Sequence, residues 1–99
     1  MDAGAPVIGL LTIELHFPLA RSLKEKRMVV KALKDRLKGR FNVAVAETGY
    51  QELWQRSVVS AVTVGTDQRG LEGLLDSIAR DVENRFASEL IDVGIEIIG

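Results

Sequence analysis

From residue 7 apolar and polar positions alternate, with Val7, Leu11, Ile13, Leu15 and Phe17 on one side and Thr12, Glu14 and His16 on the other. A period of two is that of a half-buried strand, and Pro18 ends it. Ser22 followed three residues later by Glu25 has the spacing of a capping box, in which each side chain satisfies a free N–H at a helix start. The pattern predicts a helix over 23–38, stopped by Gly39, whose buried stripe is Leu23, Val30, Leu33 and Leu37 with Val29 at its edge. Phe41, Val43 and Val45 alternate with Asn42, Ala44 and Ala46 as a second strand. The β-branched stretch 58–64 reads as a third, with its buried face left open by the pattern.

Asp67 is placed to cap a second helix, in which Leu71, Leu74, Leu75, Ile78, Val82 and Phe86 recur at helical spacing and Glu72, Asp76, Asp81 and Glu83 form the outer face. Ile91, Val93, Ile95 and Ile97 alternate with Asp92, Gly94 and Glu96 as a last strand. The order β-α-β-β-α-β predicts a ferredoxin-like α+β sandwich: a four-stranded antiparallel sheet in the order 4-1-3-2, with both helices on one face. The other face is then open, offering Ile8, Leu10, Thr12, Ala44 and Ala46, joined by Ser60, Val62 and Val64 if the third strand turns them that way. None of these is aromatic, which disfavours base stacking on the central strands and suits contact with protein, including a second copy of the chain.

Length and composition narrow this picture. With 99 residues, 46% of them hydrophobic, the chain fills one core, and a single domain is expected. There is no cysteine, so disulfide frameworks and thiolate metal sites are excluded, and a reducing, cytoplasmic setting is the default. No apolar run approaches the roughly 20 residues of a membrane span, and Met1-Asp2-Ala3-Gly4 lacks a basic signal start, so no membrane partner is expected.

Charge changes the picture most. Residues 21–40 hold nine cations against two acids, a local +7, whereas the remainder holds four arginines against twelve acids, a local -8, inside a chain of net charge -1. On the predicted first helix, Lys24, Arg27, Lys31, Lys34 and Lys38 fall on one stripe beside the buried face, a ladder about 20 Å long at about 1.5 Å per residue. That length follows several phosphates of a nucleic acid. The alternative is that the stripe is merely solvated or pairs with the acidic second helix. Topology gathers His16, Arg21, Lys24, Arg27, Tyr50, Trp54, Arg56 and Arg85 at one end of the sandwich. There a helix N-terminus near Ser22 could receive an anion, and Tyr50 or Trp54 could stack on a base. Trp54 could equally close the end of the core. Lone His16 is the single candidate for proton transfer, and the sequence lacks a second histidine, HExxH, a phosphate-cradling glycine loop and a close carboxylate cluster. No catalytic residue, cofactor or metal is therefore assigned.

Three separated motifs carry a resemblance: Ser22-Leu23-Lys24-Glu25-Lys26-Arg27, then Arg40-Phe41-Asn42-Val43-Ala44-Val45-Ala46-Glu47, then Leu53-Trp54-Gln55-Arg56. In this order they resemble the bacterial YlxP-like proteins, a family catalogued as a domain of unknown function. The resemblance implies a ferredoxin-like fold and a setting among translation and ribosome-maturation genes, and brings no catalytic residues with it. Two functional expectations result. The first is a non-enzymatic protein that binds RNA or a ribosomal subunit through Arg21, Lys24, Arg27, Lys31, Lys34, Lys38, Tyr50, Trp54 and Arg56. The second is a homo-oligomer formed through the open sheet face.

Overall fold

A computed structural model describes residues 4–99; residues 1–3, part of the segment read above for a signal start, lie outside the described residues. The elements are β1 (Val7–His16), α1 (Leu23–Arg40), β2 (Ala44–Gly49), β3 (Arg56–Gly65), α2 (Gln68–Arg85) and β4 (Leu90–Ile98). They form one four-stranded sheet in the order β2-β3-β1-β4, every neighbouring pair antiparallel, with the helices packed on one face. This is the ferredoxin-like α+β arrangement the pattern predicts.

The core lies between sheet and helices. Leu11, Ile13 and Leu15 of β1 meet Val30, Leu33 and Leu37 of α1 and Leu75, Ile78 and Val82 of α2, all essentially inaccessible to solvent. α2 lies close over β1 at Gly9, where an added Cβ would sit 2.8 Å from Leu75 Cδ1. The buried face of β3 proves to be Ser57, Val59, Ala61 and Thr63. Its two hydroxyls are satisfied, Ser57 Oγ donating to Glu47 Oε2 at 2.6 Å and Thr63 Oγ1 to the Asn42 carbonyl at 2.8 Å, as buried polar groups require.

Two boundaries differ from the pattern. α1 runs through Gly39 to Arg40, because the chain leaves the helix by an extended Phe41 (φ -133°) whose N–H donates to the Leu37 carbonyl, so no left-handed glycine cap is used. β2 starts three residues later than the alternation at Phe41 implies. Phe41 and Val43 are tied into the turn by Val43 N–H donating to the Phe41 carbonyl, and pairing with β3 begins at Ala44 opposite Val62.

On the open face the register sets side chains in rows. Ile98, Ile8 and Val64 form one row, and Leu10, Val62 and Ala44, with Glu96 at the margin, form the next. Thr12, Ser60, Ala46 and Gly94 make a middle row, with Thr48 Oγ1 2.7 Å from Ser60 Oγ. Glu14, Val58 and Asp92 follow, then His16 beside Arg56. One end of the face is apolar and the other charged.

Candidate nucleic-acid interface

α1 begins where its sequence says it should. Ser22 is the N-cap, its hydroxyl accepting from Glu25 N–H at 3.1 Å, while the Glu25 carboxylate reaches back to Arg21 N–H, one residue before the cap. The Glu25 carboxylate thus takes the Arg21 N–H beside the helix start, and the Ser22 hydroxyl takes the Glu25 N–H.

The flanks of α1 have different partners. Arg36 grips Asp81 of α2 with two parallel bonds of 2.7 Å, Nε to Oδ2 and Nη2 to Oδ1, and Arg40 Nε lies 3.7 Å from Oδ1. Asp81 is thus turned toward α1 and only 13% exposed, not part of an outer acidic face. The Arg36 guanidinium, through its hydrogen bonds first, holds the Asp81 carboxyl below the usual carboxylate range, and Asp81 in turn raises Arg36. At about 100° per residue, Lys24, Arg27, Lys31, Lys34 and Lys38 lie on the opposite flank from Arg36 and Arg40, over the β2 side of the sheet. None of the five pairs with α2. Lys31 bonds Asp35 within its own helix turn at 2.5 Å, and both stay largely exposed. That bond, then Lys31, Lys38 and Lys34 acting through space, lowers the Asp35 pKa. Lys24, Arg27 and Lys38 are exposed and Lys34 half-buried, and none of them forms an ion pair among the described residues.

Lys26, counted above only as charge, is fully buried. Its Nζ donates to the carbonyls of Tyr50 at 2.7 Å, Gln51 at 3.2 Å and Arg56 at 3.0 Å, and lies 2.9 Å from Glu47 Oε2, which also accepts from Ser57. A buried ammonium is tolerated only when its charge and donors are met, and here they are. The signal was present in the sequence: residue 26 stands four before Val30, seven before Leu33 and eleven before Leu37, inside the buried stripe, where a cation demands buried oxygens.

This anchor shapes the β2–β3 loop. Tyr50 takes a left-handed conformation (φ 56°), its carbonyl also accepting from Leu53 N–H at 3.0 Å, and the Gln51 side chain donates to the Glu47 carbonyl at 2.9 Å. Tyr50, Leu53 and Trp54 remain about half exposed, Trp54 at 52%, so Trp54 does not close the core. The Arg56 guanidinium stands 4.8 Å from the Tyr50 ring centroid and pairs with Glu14, so Tyr50 already has one ring face covered while Trp54 is free. A shallow groove of ≈ 480 Å³ beside it is lined by Glu52, Leu53, Trp54, Gln55 and Arg56. Arg21 is exposed at the same end, and His16 is half-buried beside Arg56. Among the described residues no group of three or more His, Asp or Glu could hold a metal ion, and no helix is long and apolar enough to cross a membrane.

Comparison with known sequences places this geometry in a family. The sequence model of the family described as "Protein of unknown function (DUF503)" matches residues 8–95. The chain belongs to the DUF503 family. A curated relative, "Uncharacterized protein YlxP" of Bacillus subtilis (strain 168), is 33% identical over 78 residues, covering 79% of this chain and 85% of the relative. A solved structure titled "De novo designed protein Foldit4" superposes with a TM-score of 0.58 over 96% of this chain and 98% of its own, at 14% identity. That likeness concerns the fold alone. The DUF503 match spans α1 with its stripe, the Lys26 anchor and the Trp54 loop, all between residues 8 and 95.

Proposed function

We propose that this DUF503 protein is a non-enzymatic RNA-binding accessory protein, its targets including ribosomal RNA, that tracks single-stranded phosphates along α1 and stacks an unpaired base on Trp54. The observation that carries the reading is the segregation of cations on α1. Arg36 and Arg40 absorb Asp81 of α2, while Lys24, Arg27, Lys34 and Lys38 on the other flank form no ion pair among the described residues. Repelling cations with i, i+4 and i, i+7 spacing destabilise a helix unless something compensates, and phosphates would. Trp54 supplies a free aromatic surface near the N-terminal end of that stripe, with Arg21, Arg56 and the exposed face of Tyr50 around it.

Fluorescence anisotropy with single-stranded RNA across a salt series tests this. Contact with four phosphates gives a log K against log salt slope of about -3. Reversing Lys24, Lys31 and Lys38 to Glu removes most of both affinity and slope. A flat salt plot, or a triple variant that binds as the parent does, refutes the reading.

A further inference from the structure

The helices cover one face of the sheet, and the rows of the other face point to an occupant. We propose that this face is an isologous interface with a second copy of the chain, stacked about a twofold axis lying between the two sheets and parallel to their strands. The proposal does not depend on RNA binding.

The area is sufficient. Four strands at about 4.8 Å spacing and mostly nine or ten residues long at about 3.3 Å per residue give about 500 Å² of flat area per copy. Two copies bury about 1,000 Å², the threshold of a specific interface, before side-chain relief is added. The exposed apolar residues lie where such an interface needs them: Val62 is 40% and Val64 64% exposed at the apolar end, with Ile8 and Ile98 beside them.

Symmetry selects the arrangement. An axis parallel to the strands sets every row over its own copy and, because the order is β2-β3-β1-β4, brings β3 over the partner's β1 and β2 over the partner's β4. Val62 then meets a second Leu10, Ser60 meets a second Thr12, and the small Ala44 and Ala46 of β2 face the β4 strand that carries Gly94. Glu96 sits at the margin, where its carboxylate stays in water. At the far end Glu14 lies over the second copy's Val58 and Arg56 over its His16, while Arg56 and Glu14 stay paired within each copy. An axis across the strands would instead set Leu10 over Glu14 and Val64 over Arg56, burying charge against hydrocarbon. Pairing through the β2 edges is opposed as well, since it would bring two cationic stripes together.

Sedimentation velocity over the micromolar range tests the proposal. The parent chain sediments as a dimer, and salt does not dissolve it, unlike an RNA complex. Val62→Glu, on an exposed position, weakens the dimer at least tenfold with an unchanged thermal midpoint. Because the chain has no cysteine, Ser60→Cys provides a single thiol that a short bismaleimide links between copies, whereas Lys31→Cys on the helix face is not linked. A parent chain that is monomeric throughout, a Val62→Glu dimer as tight as the parent, or cross-linking through residue 31 but not residue 60 overturns it.

Discussion

Replacing Lys26 by Met keeps a stem of similar length in the core and removes only the ammonium. Four oxygens lose the ammonium, the carbonyls of Tyr50, Gln51 and Arg56 and the Glu47 carboxylate, though Tyr50 keeps the Leu53 N–H. Hydrogen bonds from a charged donor contribute about 1.5–3 kcal/mol each, but Tyr50 and Gln51 lie in an exposed loop, and their carbonyls regain water. Glu47, 14% exposed, keeps Ser57 and loses its counter-charge. The net loss is about 3 kcal/mol, the lower end of the range for breaking a buried pair. That is a large share of the roughly 5–15 kcal/mol that holds a domain together. Urea unfolding reads it directly: with a slope of about 1–1.5 kcal/mol/M, the midpoint falls by about 2–3 M and the slope stays constant. Adding Glu47→Gln recovers about 1 kcal/mol relative to the sum of the single changes, because no unpaired carboxylate is left behind. A Lys26→Met midpoint within about 0.5 M of the parent refutes the anchoring role.

Other expectations follow from single contacts. The Asp81 carboxyl, held low by Arg36, binds fewer protons folded than unfolded, so its stabilisation is present above the unfolded carboxylate value of about 3.9 and lost as pH falls through the lower folded one. Asp81→Asn is therefore less stable at neutral pH by about 1 kcal/mol and loses less than the parent between pH 4 and more acid conditions; equal acid losses in thermal melts refute it. Gly9→Ala costs about 1–3 kcal/mol by pressing on Leu75 and Leu71, whereas Gly73→Ala, with nothing within 4 Å, adds about 0.5–1 kcal/mol; denaturant midpoints moving in the same direction contradict the packing. Trp54→Ala leaves the melting temperature unchanged while weakening RNA binding by about 1–3 kcal/mol, and a loss of stability without loss of binding points to a purely structural tryptophan.

The order of elements was legible because each has an uninterrupted period: two in β1 and β4, 3.6 in both helices. Asp67 and Ser22 announced their helices, and both side chains accept the expected N–H, from Gly70 and Glu25. The face of β3 was not legible, since Ser57 and Thr63 look like solvent positions until Glu47 and Asn42 are brought to them by the neighbouring strand. The end of α1 is ambiguous in the sequence for a related reason: Gly39 permits a left-handed cap but does not require one. Of the candidate site, the cationic stripe could be drawn from residue spacing, yet which flank α2 occupies depends on Arg36 finding Asp81, 45 residues away. The burial of Lys26 is hidden because lysine is ordinarily a surface charge. Its oxygens come from residues 47–56, and no local pattern reveals that they converge.

That convergence has a consequence for how the protein can vary. Lys26 holds the loop by the main-chain carbonyls of Tyr50, Gln51 and Arg56, groups that every amino acid carries. Loop shape is thereby uncoupled from loop side chains. A change at 26, 47 or 57 disturbs this support, whereas exposed loop side chains at 52–55 can be replaced on the same backbone. A new recognition surface could be written onto this loop without redesigning the support beneath it.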